Sequence, residues 1–335
     1  MENFKNALQS LATLKKIDDY GMFQMTYFGD YGFDEFLKVG INEADNIGSS
    51  LFMKHLLTGI PINYTPTPGA GCTVFTARND KDEILFCRNF DFSYNGVAYS
   101  PSLQLFTSPD NGYTSVSTVN LLYFGYGKDN LPNGLNLESF PVLDSPYCPM
   151  DGVNAKGVAI AILALPEAKP AYDTNKIMLD TPTTMRLILD KATNVEEALG
   201  LLRQYNICFP MNIYCQFLIA DASGRSVIVN YYDDDMKITE VGESYQIASN
   251  FASFSQDICA GRCEFERYDK VKSTLASNGG VLTEAQAVDL LADVGVVYEG
   301  ESHIQWSVIY NLSTLEGVIF AHGKKDNLIN FHITP

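Results

Sequence analysis

Basic residues are scarce in this 335-residue chain: 23 Lys and Arg stand against 40 Asp and Glu, a formal net charge of −17. Nucleic-acid phosphates and anionic membrane surfaces both require a cationic face, so neither is an expected partner. Long apolar runs are missing too, and Met1-Glu2-Asn3-Phe4-Lys5 lacks the basic-then-apolar pattern of an export signal. The chain as written is expected to be cytoplasmic and without membrane insertion, unless a trimmed signal once preceded it. Histidine is rare, and His55, His303, His322 and His332 are scattered singly. There is no HExxH, no GxSxG and no P-loop, so zinc-protease, serine-hydrolase and nucleotide-hydrolase readings lose their motifs. No metal and no organic cofactor is expected. Seven cysteines in a chain this long make no disulfide scaffold, and Cys259 with Cys263 would supply only half a metal site.

What is present begins with a 46% hydrophobic fraction, ample for a core. The segment up to about Ile62 reads as mainly helical, with Ala7, Leu8, Leu11, Leu14 and Ile17 at helical spacing. A weaker helical pattern covers Asp45 to Leu57. Pro61, Pro66 and Pro68 then enforce an extended linker, and Gly69 and Gly71 add backbone freedom just before Cys72.

From Cys72 onward, hairpins dominate. Polar turns divide Thr73–Arg78 from Ile84–Arg88, Val153 from Val158–Leu163, Gln216–Ala220 from Ser226–Tyr231, and Trp306–Leu312 from Gly317–Ala321. Helices fall between the later hairpins: one near Thr184–Ala192, and two more with capping-box starts at Asn194/Glu197 and Thr283/Gln286. Helices inserted among antiparallel hairpins predict α+β layers, two sheets face to face with helices outside. Asp233-Asp234-Asp235 reads as a solvated hairpin tip.

Cys72 opens the first of these hairpins, directly after Gly69-Ala70-Gly71, and Arg88 and Asp91 lie 16 and 19 residues later on the returning strand. Cleaving an amide needs a strong nucleophile, a proton acceptor and an oxyanion stabiliser. A thiol titrates near 8.5 and an α-amine at about 7.7–8.0, so a Cys72 freed as a chain terminus would carry its own base. Asp91 would hold that amine, and Arg88 would favour the thiolate. Taken alone, Cys72 would serve equally as a small core residue, and Arg88 with Asp91 as a strand-end ion pair. The glycine linker in front of them favours the catalytic reading.

Gly71-Cys72-Thr73 with Arg88-Asn89-Phe90-Asp91-Phe92 resembles the start of choloylglycine hydrolase-type enzymes, cysteine N-terminal-nucleophile amidases that include bile-salt hydrolases and penicillin V acylases. The likeness extends to the hairpin Asp151-Gly152-Val153-Asn154-Ala155-Lys156-Gly157-Val158, to Ile247-Ala248-Ser249-Asn250-Phe251 and to Arg267-Tyr268. It implies a four-layer αββα sandwich preceded by a mainly helical segment, and hydrolysis of linear amide C–N bonds. Cys72 is then the nucleophile with Arg88 and Asp91 beside it, Asn250 an oxyanion donor and Arg267 a support. By their own pattern, Asn250 would equally end a strand and Arg267 would sit on a helix surface, while Asn154 is a turn residue or lines the site. Two features depart from bile-salt hydrolases. Seventy-one residues precede the cysteine, as in the acyltransferase and acid-ceramidase-like branches, and Ala164 stands where the first oxyanion Asn is expected, leaving a backbone N–H to serve.

The expectation is therefore a prosegment and linker over 1–71 and a catalytic domain over 72–335, with self-cleavage between Gly71 and Cys72. The cleaved chains would stay associated, and a homo-oligomer is compatible with the sequence. The substrate would be an N-acylated small molecule with an apolar acyl group, its pocket drawn from the aromatic-rich stretch Phe90 to Tyr126, residues that core packing would equally use. An acyltransferase of the same fold and a non-processing, ligand-binding relative are the rival readings.

Overall fold

Period-two alternation decides the layers. Along the strand Gly71–Arg78, Cys72 and Val74 point to one face, while Phe75 and Ala77 point to the other. The computed structural model describes residues 2–41, 71–93, 99–209, 212–240, 242–259, 263–298 and 301–334. The helical pattern expected over Asp45–Leu57, the three linker prolines and Gly69-Ala70 lie outside them.

Strands of the two large sheets are numbered here in chain order. The nine-stranded sheet is made of β1 (Lys15–Lys16), β2 (Met22–Tyr27), β5 (Ser102–Thr107), β6 (Ser115–Asn120), β7 (Asp151–Asn154), β8 (Ala159–Ala164), β9 (Cys215–Ala220), β10 (Ser226–Tyr232) and β11 (Asp235–Glu240), in that spatial order. The six-stranded sheet has the order β12 (Ile247–Ala248), β3 (Gly71–Arg78), β4 (Ile84–Asp91), β13 (Ile304–Asn311), β14 (Glu316–Ala321) and β15 (Ile329–His332). Between the sheets lies one apolar cluster that includes Val74, Phe86, Phe90, Val153, Ala161, Leu218, Trp306 and Val308. On the outer face of the nine-stranded sheet, Ile160 and Phe217 pack under Met185, Ile188 and Leu199, which come from α3 (Thr181–Lys191) and α4 (Val195–Leu202). On the outer face of the other sheet, Phe75, Leu85 and Phe320 pack under Val271, Leu275 and Leu291, from α5 (Cys263–Ser277) and α6 (Glu284–Asp293). These are the αββα layers.

All four expected hairpins form, and the helix starts are chemical. Thr283 and Gln286 cap α6 reciprocally. At α4, Asn194 accepts from the Glu197 N–H, but Glu197 reaches back to the Thr193 N–H, one residue short of a closed box. Asp233 and Asp234 make the β10–β11 turn with φ of 54° and 56°.

The first 41 residues depart most from expectation. Helices α1 (Glu2–Thr13) and α2 (Phe33–Val39) form, but Met22–Tyr27 is a strand that pairs in parallel with β5. The alternation is present in the sequence, Phe23 and Met25 buried on one face and Gln24 half-buried and Thr26 exposed on the other, but the run is short and its partner strand lies far along the chain. Leu11, Leu14, Phe23 and Met25 are buried against Leu103, Leu105 and Val119. At about 1.5–3 kcal/mol for each buried side chain of this size, the segment is held firmly in the body of the fold. Among the described residues, no helix is long and apolar enough to cross a membrane.

Candidate active site

Arg88 and Asp91 are three residues apart on β4, so they face opposite sides of the sheet, and Cys72 sits at the strand end between them. Cys72 pairs with Phe90 and Gly71 with Asp91 across the β3–β4 ladder. On the inward side, Arg88 is wholly buried and its Nη2 donates to Cys72 Sγ at 3.5 Å. Its Nη1 donates to the Met150 carbonyl at 2.8 Å, its Nε lies 3.1 Å from Asp151 Oδ2, and its guanidinium stands 5.0 Å from the centre of the Phe90 ring. A guanidinium in this position favours a thiolate over a thiol.

On the helix side, Arg267 of α5 draws three residues together. Its Nη1 lies 3.1 Å from Asp91 Oδ2 and 3.3 Å from Thr73 Oγ1, and its Nη2 donates to Asn250 Oδ1 at 3.2 Å. Asp91 Oδ1 accepts from the Val296 N–H at 2.9 Å. The Cys72 N–H donates to Asn250 Oδ1 at 2.5 Å, and Asn250 Nδ2 donates to the Ala164 carbonyl at 2.8 Å. Donors on one side and a carbonyl on the other fix the orientation of that amide. Gly71 is needed here for space. It lies in regular strand, and a Cβ on it would come 2.5 Å from Arg267 Nη2. The backbone freedom expected of it is not what the site uses.

Thus Cys72, Arg88, Asp91, Asn250 and Arg267 converge, with Ala164 on the wall. Asn154 does not join them. Its Nδ2 donates to the Leu189 and Ala192 carbonyls, and its Oδ1 accepts from Lys156 and Val158 N–H groups, tying the β7–β8 turn to the end of α3. It is a turn residue. Gly157 completes that turn at φ +75°, where a Cβ would meet the Leu312 carbonyl at 2.5 Å.

Three further residues take part that sequence reasoning missed. Trp306 Nε1 and Tyr310 Oη, both on β13, donate to the two oxygens of Asp151. Gln216 on β9 donates to the Ser249 and Phe251 carbonyls, pinning the backbone on either side of Asn250. Gln216 is a lone amide in the apolar strand Cys215–Ala220, a signal that could have flagged it, whereas Trp306 and Tyr310 share a strand with Gln305, Ser307 and Asn311 and carry no such mark.

Beside the thiol is a cavity of about 50 Å³, walled by Gly71, Phe90, Phe92, Tyr123, Met150, Ile162, Ala164, Ile213 and Cys215 among others. Burial, with a further push from Cys72, raises the Cys215 thiol to about 12, so it stays protonated at neutral pH. Among the described residues, no group of three or more His, Cys, Asp or Glu side chains is placed to hold a metal ion. The side chains of Cys259 and Cys263 lie outside the described set.

Cys72 is thus a buried strand-end thiol with a guanidinium on its sulfur and an Asp–Arg–Asn set around its nitrogen. Comparison with known proteins bears on the fold and the family. Penicillin V acylase from Agrobacterium tumefaciens superposes with a TM-score of 0.52 at 18% identity, covering 75% of this chain and 83% of that one. A variant of the conjugated bile acid hydrolase from Clostridium perfringens superposes with a TM-score of 0.57 at 14% identity, covering 78% and 92%. At these identities the likeness shows the N-terminal-nucleophile hydrolase fold. No curated protein sequence matches the chain. The model of linear amide C–N hydrolases, choloylglycine hydrolase family, matches residues 72–281, and this chain belongs to that family of hydrolases acting on linear amides.

Proposed function

We propose that this protein is a self-processing cysteine amidase that hydrolyses the linear amide bond of an N-acylated small molecule with an apolar acyl group. The observation that carries the reading is the two-sided hold on Cys72. Arg88 meets its sulfur from one face of the sheet, while Asn250, Arg267 and Asp91 surround its nitrogen from the other.

In the first step the Cys72 thiolate attacks the Gly71 carbonyl carbon. The S–C bond forms, the Gly71–Cys72 C–N bond breaks, and the nitrogen takes up the proton that the thiol released on ionising, to become an amine. Water then hydrolyses the thioester, leaving a Gly71 carboxylate and a free Cys72 thiol. Residues 1–71 thereby become a separate chain and 72–335 the catalytic one. The boundary is chemical, since β2 remains a strand of the nine-stranded sheet. The two chains therefore stay associated.

Turnover repeats the sequence on substrate. The Cys72 amine takes the thiol proton and returns it to the leaving amine, and Asp91 and Asn250 orient it. Asn250 Nδ2 exchanges the Ala164 carbonyl for the substrate oxyanion, with the Ala164 N–H as the second donor. Losing one such donor typically costs about 10²–10³ in rate. The cavity holds roughly one or two waters as it stands, too little for an acyl group. Gly71 forms part of its wall, so separating Gly71 from Cys72 opens it, and processing precedes turnover.

Mass measurement and N-terminal sequencing of the purified protein test this. The expected result is two polypeptides that co-elute, one beginning at Cys72, and a Cys72→Ala variant that stays whole, folded and inactive. A single intact chain with amidase activity, or activity retained by Cys72→Ala, would sink the proposal.

A further inference from the structure

We propose that Asp151 is a positioning residue, which fixes the Arg88 guanidinium so that one of its amino groups stays against the Cys72 sulfur. The inference rests on the reading of Cys72 as nucleophile and extends it to a residue that touches neither substrate nor thiol.

Arg88 lies between the two sheets, where a cation is costly unless a counter-charge faces it. Asp151 supplies that charge from β7 of the opposite sheet, 3.1 Å from Nε but without the alignment of a hydrogen bond. Its own freedom is removed from the far side. Trp306 Nε1 donates to Oδ2 at 2.8 Å, Tyr310 Oη donates to Oδ1 at 2.7 Å, and Tyr310 Oη is within 3.4 Å of Thr118 Oγ1 on β6. Trp306 also stacks on Phe90 at 4.2 Å, and Phe90 in turn faces the guanidinium. With Nε on Asp151 and Nη1 on the Met150 carbonyl, the third nitrogen has one direction left, and it is the sulfur. Stability alone does not account for so much polarity between two sheets. Buried ion pairs can commonly be replaced by apolar side chains of similar volume without loss.

Charge and position make opposite forecasts. The Asp151 carboxylate by itself disfavours a neighbouring thiolate, so if it acted only as a charge, Asp151→Asn would lower the pH at which Cys72 ionises. If it holds Arg88 in place, the freed guanidinium turns away and that pH rises.

The measurement is the pH dependence of iodoacetamide alkylation at Cys72 in the protein as purified, with all of its residues present, followed by mass mapping of the Cys72 peptide. The expected result is a midpoint raised by about one pH unit in Asp151→Asn, a tenfold loss of thiolate below the midpoint. A smaller rise is expected in Tyr310→Phe, which removes a single donor to the carboxylate and keeps the ring. A midpoint that falls or stays put in Asp151→Asn overturns the proposal. Should that variant fail to fold, Tyr310→Phe decides, with a rise in support and no rise against. Failure of the underlying reading is recognised separately, because Cys72→Ala would then keep its amidase activity whatever the midpoints do.

Discussion

Two buried Arg–Asp–Tyr clusters are built alike, and only one lies against a thiol. At the first, Arg88 faces Asp151, which accepts from Tyr310. At the second, Arg186 on α3 lies 3.2 Å from Asp190, which accepts from Tyr31 at 2.7 Å. Each guanidinium is fully buried and stands over an aromatic ring, Phe90 at 5.0 Å and Tyr31 at 5.6 Å. The difference is where the remaining nitrogens point. Arg186 places all of its own on protein oxygens: Pro146 O, Thr107 Oγ1, Ser115 Oγ, Ser117 Oγ and Asp190. Arg88 turns one toward a thiol. A buried ion pair is therefore no mark of function by itself; what counts is a donor left aimed at a reactive atom. The second cluster has its own task, since Tyr31 belongs to the segment that processing would sever and Asp190 to the body that it would leave.

Removing each arginine should separate the two tasks. Arg88→Met should slow both self-cleavage and turnover by at least about a hundredfold per folded molecule, since the thiolate loses its cation. Arg186→Met should leave activity per folded molecule near wild type while costing about 3–5 kcal/mol, the usual effect of breaking one side of a buried pair. Burial already pushes the Asp190 carboxyl above its ordinary range, so protonation softens that cost. Urea midpoints and active-site-normalised rates read the two quantities independently. Equal activity losses in both variants would erase the distinction.

Much of this was legible in the chain before folding, for physical reasons. Hairpins announce themselves through polar turns between β-rich runs, and α6 through Thr283 and Gln286, because those interactions are local. Cys72, Arg88 and Asp91 share one hairpin, so their proximity follows from the period and the turn. Other features depend on strands brought together from far along the sequence. Trp306 and Tyr310 reach Asp151 across 155 and 159 residues, and nothing near them in sequence says so. The strand Met22–Tyr27 was missed because its alternation runs over only six residues and its partner, Ser102–Thr107, lies far along the chain, and the role of Gly71 because its demand for space comes from Arg267, 196 positions away.

A third buried carboxylate sharpens the comparison by having no arginine partner among the described residues. Asp144 lies in the 3₁₀ segment Leu137–Tyr147, its Oδ2 without a hydrogen-bond partner and Tyr27 and Tyr147 within electrostatic reach. Burial raises it from 3.8 to about 8. The folded protein thus keeps a proton that the unfolded chain releases near pH 4. The stability from this group is full below about pH 4, declines as pH rises, and is gone above about 8, a difference of a few kcal/mol. Urea midpoints should accordingly fall between pH 5 and 9 in the wild type and change much less in Asp144→Asn. A wild-type profile that rises across this range would contradict the assignment.

The smallest effect concerns substrate, and it follows from the same contrast. Among the described residues walling the cavity beside Cys72, Asp91 is the single charged one; the rest are apolar, aromatic or small. Arg88 is committed to the sulfur, and Arg267 to Asp91, Thr73 and Asn250, so neither is spare to read a charged substituent. Selectivity should then come from burying the acyl group. Each CH₂ contributes about 0.8 kcal/mol, about fourfold in kcat/KM for every carbon until the pocket is full. A panel of N-acyl amino acids, penicillin V, conjugated bile salts and N-acyl ethanolamines separates acyl length from amine identity. The expected outcome is a steep rise with acyl size and a shallow dependence on the amine, with free acid released into water alone. If rates instead tracked the charge of the amine and ignored acyl length, a cationic recognition site would have to lie beyond this cavity, and the apolar pocket would not be where specificity is set.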